Sequence, residues 1–169
     1  MKKSFQIYID TGGTFTDCIG IDNHGKTYRQ KVLSSSSLRG IIKECLSKNT
    51  FRISESWNLS RDILKGFSFR VLQSDIPDNS VLEYEFEKKL LRLAGPVSGF
   101  KNLEGLNFEI SSDEEAPVLG ARLITQTALD EEFPDLTFRL GSTKGTNALL
   151  ERKGAKTPVS YTHLRAHET

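Results

Sequence analysis

The string Asp10-Thr11-Gly12-Gly13-Thr14-Phe15-Thr16-Asp17 stands between two short apolar runs and constrains the fold more than any other stretch. Residues 5–9 put Ile7 and Ile9 on one face of a period-two pattern, and Cys18-Ile19-Gly20-Ile21 begins a second run. Two alternating runs joined at a Gly-Gly pair predict a β-hairpin. Gly12 and Gly13 lack Cβ, so they are expected to reach positive φ and to leave backbone N–H groups open to an anion. Thr14 and Thr16 add hydroxyl donors. Asp10, at the strand end, is placed to hold a hydrated Mg²⁺ beside phosphates. The same residue types also suit an ordinary turn; it is the complete string that favours a ligand-binding one.

A second string lies far downstream. Residues 136–140 read as a strand feeding Gly141-Ser142-Thr143-Lys144-Gly145-Thr146, and residues 147–153 read as a helix stopped by Gly154. A strand-to-helix junction offers free N–H groups and a partial positive charge to an anion. Ser142, Thr143, Thr146 and Asn147 can donate hydrogen bonds there, and Lys144 can neutralise charge. Alternatively, Thr146 or Asn147 simply caps the helix. The loop is not a Walker A sequence, because its glycines sit four apart and no Gly-Lys-Ser/Thr follows.

The first string resembles the phosphate-binding hairpin of the actin, sugar-kinase and chaperone-ATPase superfamily. In the form DTGGTFTD it is most similar to the N-terminal segment of the hydantoinase A and 5-oxoprolinase family. The run Thr146-Asn147-Ala148-Leu149-Leu150-Glu151-Arg152-Lys153-Gly154 is similar to a second string of that family, although Lys144 departs from the small or apolar residue usual there. A weaker likeness over residues 114–123 is to the longer oxoprolinases, in which both functional halves are fused.

The resemblance implies an incomplete α/β (mixed α+β) fold: a ribonuclease-H-like nucleotide-binding half-domain that opens with a three-stranded β-meander and carries a β-rich insertion. It implies an ATP-dependent hydrolase that phosphorylates the amide oxygen of a cyclic amide, such as 5-oxoproline or a hydantoin, and opens the ring with water. ATP and Mg²⁺ are the implied cofactors. Gly12, Gly13, Thr14 and Thr16 would meet the phosphates, Asp10 the hydrated Mg²⁺, and Asp17 the metal or the hairpin itself. Thr143, Thr146 and Asn147 would face the substrate or the γ-phosphate. The implied partners are the cyclic amide, the remaining ATPase lobe and a hydantoinase-B-like part, in the same chain or a separate subunit. Since the superfamily closes its ATP cleft between two lobes, this polypeptide alone is expected to be inactive. An actin-like or activator-type ATPase, or a sugar or acetate kinase lobe, are the alternatives.

Composition narrows the partners. Lys plus Arg total 23 against 22 Asp plus Glu, so no single-sign field points to nucleic acid or an acidic membrane surface. There is no apolar run of membrane-spanning length, and Met-Lys-Lys-Ser-Phe is followed by no apolar signal region. Cys18 and Cys45, the only cysteines, read as reduced small hydrophobes in a cytoplasmic protein.

Along the chain, residues 1–49 read as the meander followed by a first helix over 38–48. In that helix the serines 34–37 act as N-cap, and Ile41, Ile42, Cys45 and Leu46 form one apolar face. Residues 50–111 read as a β-rich insertion holding six of the ten Phe and the only Trp. Strands are expected at 51–53, 67–72 and 103–110, while 86–93 suits either strand or helix. Residues 112–157 open with a capping box at Ser112-Asp113-Glu114-Glu115 and a helix running to about Gln126. Residues 158–169 resemble a translated adapter rather than natural sequence.

Overall fold

The structure, a computed structural model, describes residues 3–143, 145, 146, 150 and 152. The expected meander is present as β1 (Ser4–Thr11), β2 (Phe15–Asp22) and β3 (Thr27–Leu33), paired antiparallel in sequence order. Asp22 shapes the β2–β3 turn, its carboxylate accepting from the His24 and Lys26 amides at 2.9 Å and the Tyr28 hydroxyl at 3.0 Å. A fourth strand, β10 (Asp135–Ser142), lies parallel to β1, giving the order β10-β1-β2-β3.

One helix, α1 (Ala116–Thr125), covers the inner face of this sheet. Phe5, Ile7 and Ile9 of β1 and Cys18 of β2 pack there against Ala121 and Ile124. Two glycines permit the close approach. A Cβ on Gly120 would lie 2.2 Å from Cys18 Sγ, and one on Gly20 would lie 2.3 Å from Ile124 Cγ2. The helix starts later than a capping box at Ser112 would place it: Glu115 is its N-cap and makes no side-chain cap bond. Pro117 is the reason, because proline is tolerated only in a helix's first turn. Gln126, in the left-handed region with φ 58°, closes the C-terminus.

Between β3 and α1 the chain builds a second body. Strands β4 (Ser37–Ser47), β5 (Thr50–Ser54), β6 (Ser68–Val71), β7 (Asn79–Glu85), β8 (Leu90–Leu93) and β9 (Asn107–Ser111) close into a barrel in the order β4-β5-β8-β7-β6-β9. Every neighbouring pair is antiparallel. The helix expected over 38–48 is therefore a strand. Leu38, Gly40 and Ile42 alternate inward, and β4 pairs with β5 on one side and β9 on the other. A Cβ on Gly40 would press to 2.5 Å of the Phe108 ring, so glycine lets the strand lie over that ring. Of the ambiguous stretch 86–93, only Leu90–Leu93 is strand, and β9 begins at Asn107 rather than near 103.

The barrel core is aromatic. Phe69 lies 5.2 Å from Phe108 and 6.4 Å from Phe51 between ring centres, and Trp57 meets Tyr84 and Phe108 edge-on at 6.0 and 6.1 Å. This core continues into Val32 of β3 and Ala116, Leu119 and Leu123 of α1, so the helix is buried on two sides. Chain entry and exit adjoin, because Ser37 pairs with Ser111. Among the described residues no helix is long and apolar enough to cross a membrane.

Candidate functional site

The β1–β2 hairpin and the end of β10 meet at one end of the sheet. Strand register sets Lys31 opposite Asp17, Asp17 opposite Asp10, and Asp10 beside Gly141. That row points away from α1. The next row on the same face runs Arg29, Ile19, Tyr8, Arg139. Together Asp10, Asp17, Tyr8, Arg139 and Gly141 line a shallow depression of about 360 Å³. Residues 131 positions apart, Asp10 and Gly141, are thus joined, because β10 enters the sheet parallel to β1.

One cation pairs with a carboxylate on this face, and a second is held by Tyr8. Lys31 Nζ is 3.6 Å from Asp17 Oδ1. Arg139 donates to the Tyr8 hydroxyl at 3.1 Å, with its guanidinium 5.3 Å from that ring centre. Arg139 escaped the sequence reading, since nothing local marks it; only strand register sets it two residues from Gly141 on the carboxylate face. Asp10 and Asp17 suit Mg²⁺, which keeps most of its water and takes one or two carboxylates. Among the described residues no group of three or more His, Cys, Asp or Glu forms a closed metal cage.

The hairpin tip is braced from behind. The Gly12 amide donates to the Phe15 carbonyl at 2.9 Å, while among the described residues the Gly13 and Thr14 amides meet no acceptor. Neither glycine has positive φ, contrary to expectation. A side chain at Gly12 is disfavoured for another reason: its Cβ would stand 3.1 Å from the Phe15 carbonyl oxygen. Thr14 is exposed. Thr16 is fully buried, and its hydroxyl shares a 3.2 Å hydrogen bond with Ser34. Ser34 also donates from its hydroxyl to the Gly12 carbonyl at 3.0 Å and from its amide to the Thr14 carbonyl at 2.9 Å. Expected as part of a helix cap, Ser34 instead holds the hairpin.

The downstream loop docks on the same end. The Thr143 amide donates to the Thr11 carbonyl at 3.1 Å, and its hydroxyl lies 3.4 Å from the same oxygen. Thr146 is exposed. Lys144 and Asn147 lie outside the described residues, as does most of the helix expected over 147–153.

A glycine-tipped hairpin with exposed carboxylates, set against a parallel strand end, belongs to a strand-rich α/β fold. Residues 6–59 match the family model described as the hydantoinase/oxoprolinase N-terminal region. An uncharacterized protein of Schizosaccharomyces pombe is 39% identical over 79 residues, covering 39% of this chain and 6% of the relative. The chain thus spans a small part of the curated relative it matches. No solved structure matches.

Proposed function

We propose that this chain supplies the phosphate-binding N-terminal part of an ATP-dependent cyclic-amide hydrolase of the 5-oxoprolinase or hydantoinase type. The observation that carries the reading is the meeting of its two distant motifs, with Asp10 in register with Gly141 and Thr143 bonded to Thr11. The order β10-β1-β2-β3, with β10 parallel to β1, supports reading the sheet as a ribonuclease-H-like half-domain.

In this reading the Gly13 and Thr14 amides, with the Thr14 hydroxyl, receive the ATP phosphates, and Gly12 leaves them room. Thr16 acts through Ser34 to hold the tip. Asp10, with Asp17 opposite, holds hydrated Mg²⁺, which would neutralise phosphate charge. Thr143, Thr146 and Asn147 face the γ-phosphate or the substrate. An amide carbon is a poor electrophile until its oxygen becomes a leaving group. The amide oxygen would therefore take the γ-phosphoryl group as ADP departs; water would then add at the carbon, the ring C–N bond would break with the nitrogen leaving as the amine, and a second water would release phosphate from the acyl phosphate so formed. The protein's part in the first step is positioning and charge stabilisation.

The test joins this chain to the remaining ATPase lobe and the hydantoinase-B-like part and measures phosphate release from ATP. Release that depends on 5-oxoproline or a hydantoin is expected, with none from the chain alone. ATP hydrolysis indifferent to every cyclic amide, or phosphate transferred to a sugar or to acetate, overturns the proposal.

A further inference from the structure

On the opposite face of the sheet from Asp10, between the hairpin and the start of α1, lies a cup of about 380 Å³. We infer that this cup holds the ring of an uncharged cyclic amide; the inference rests on the function proposed above and names the substrate class it prefers.

Thr11 carries the argument. It is 5% exposed, and its hydroxyl oxygen is buried without a hydrogen-bond partner among the described residues. Buried hydroxyls are nearly always satisfied, so an orphan next to a cavity points to a partner from outside the chain, a water or a ligand atom. Thr11 follows Ile7 and Ile9 on the inner face of β1, in register with Thr16 and Ser142. The cup lies on that side. The neighbouring serine hydroxyls are engaged already: Ser34 with Gly12 and Thr16, Ser35 with Ser37, and Ser36 with the Glu114 carbonyl.

The lining selects the ligand's charge. Among the described residues no Lys, Arg or His lines the cup, whereas Glu115 does. Nor does the helix start make an anion seat. Pro117 has no N–H, and the Val118 and Leu119 amides both donate to the Glu115 carbonyl. Among the described residues, then, nothing in the cup offers a phosphate or carboxylate a counter-charge. A ring bearing one N–H and one carbonyl fits: Glu115 accepts from the N–H, Thr11 donates to the carbonyl oxygen, and Leu140 and Pro117 cover the apolar face. That carbonyl oxygen then lies one residue from Gly12, at the end of the sheet where the phosphates would be held. A hydantoin without a charged substituent suits the cup better than 5-oxoproline, whose carboxylate would face Glu115.

The experiment titrates the full 169-residue chain with hydantoin, 2-pyrrolidone, 5-oxoproline and inorganic phosphate while following backbone amide resonances. The neutral rings are expected to move the Ser142 and Ala116 signals, with 5-oxoproline and phosphate weaker. Thr11→Val should weaken hydantoin binding by about tenfold, the scale of one lost hydrogen bond, and Thr11→Ser should restore it. If Thr11→Val fails to fold, Glu115→Gln carries the test, through reduced preference for the ring N–H and improved binding of 5-oxoproline. Unmoved cup signals with hydantoin, or phosphate binding more tightly than the rings, overturn the inference. Amide-stimulated phosphate release by the assembled enzyme with a silent cup would sink the cup alone. Thr11-dependent ring binding without any amide-stimulated release would sink the hydrolase reading and leave the cup as a ring-amide site.

Discussion

Asp10 and Asp17 stand directly opposite each other on β1 and β2, two carboxylates in one cross-strand pair at the base of the glycine tip. Like charges so placed repel, and among the described residues Lys31 pairs with Asp17 and none with Asp10. Asp10→Asn is therefore expected to raise the thermal midpoint slightly in metal-free buffer. Adding Mg²⁺ should stabilise the unmodified chain and not the variant. Equal Mg²⁺ responses in scanning calorimetry would remove Asp10 from the metal site.

The close packing of α1 on β2 makes Gly120 intolerant. Alanine has a helix propensity about 1 kcal/mol better than glycine, but its Cβ would overlap the buried Cys18 Sγ at 2.2 Å. Overpacking of this kind costs about 1–3 kcal/mol, so Gly120→Ala is expected to destabilise on balance. Pairing it with Cys18→Ala should recover part of the loss in a double-mutant cycle by urea denaturation.

Arg122 is a buried cation that no local pattern announces. It grips the Glu114 carboxylate with two bonds at 2.6 and 2.8 Å, donates to the Ala128 carbonyl at 2.6 Å, and lies over the Phe133 ring. Arg122→Met leaves Glu114 unpaired and is expected to cost about 3 kcal/mol, the lower end for a broken buried pair because Glu114 is a quarter exposed. The Arg122 hydrogen bond also holds the Glu114 carboxyl below the usual glutamate range. Its stabilisation is thus complete above the ordinary value near about 4.3 and is lost as pH falls through the lower folded value. Glu114→Gln should flatten the stability-versus-pH curve in that acid window.

Ser34 ties the hairpin to the barrel entry. Ser34→Ala removes its hydroxyl bonds to Gly12 and Thr16 and is expected to cost about 1 kcal/mol. Faster hydrogen exchange at the Gly12 amide, with barrel amides unchanged, is the expected signature. Uniform acceleration across the chain would instead mean global loss.

Cys18 and Cys45 should differ in reactivity. Burial, then the neighbouring Asp17 charge, pushes the Cys18 thiol up to about 12, leaving almost no thiolate at neutral pH. Cys45 is only half-buried. Alkylation in native buffer should therefore label Cys45 first, with Cys18 reacting only after denaturation.

The three-stranded meander was legible because each strand announces itself locally, by alternation over a few residues and by turn residues such as Asn23 and Gly25. The strand at β10 and the helix ending near Gln126 were readable for the same reason. The segment 38–48 was not. Ile41, Ile42, Cys45 and Leu46 fit a helix repeat as well as a strand, and the decision came from β5 and β9, whose edges β4 joins to close the barrel.

Local order along the chain thus determined the hairpin, its glycine tip and the identity of the residues that crowd it. Tertiary pairing decided which of them meet. Parallel docking of β10 on β1 brought Gly141 and Arg139 to Asp10, the chain's return from the barrel put Glu115 beside Thr11, and both contacts join residues more than a hundred positions apart. Short-range periodicity carries no information about such pairs, because they form only when distant strand edges and apolar faces find each other in the folded core.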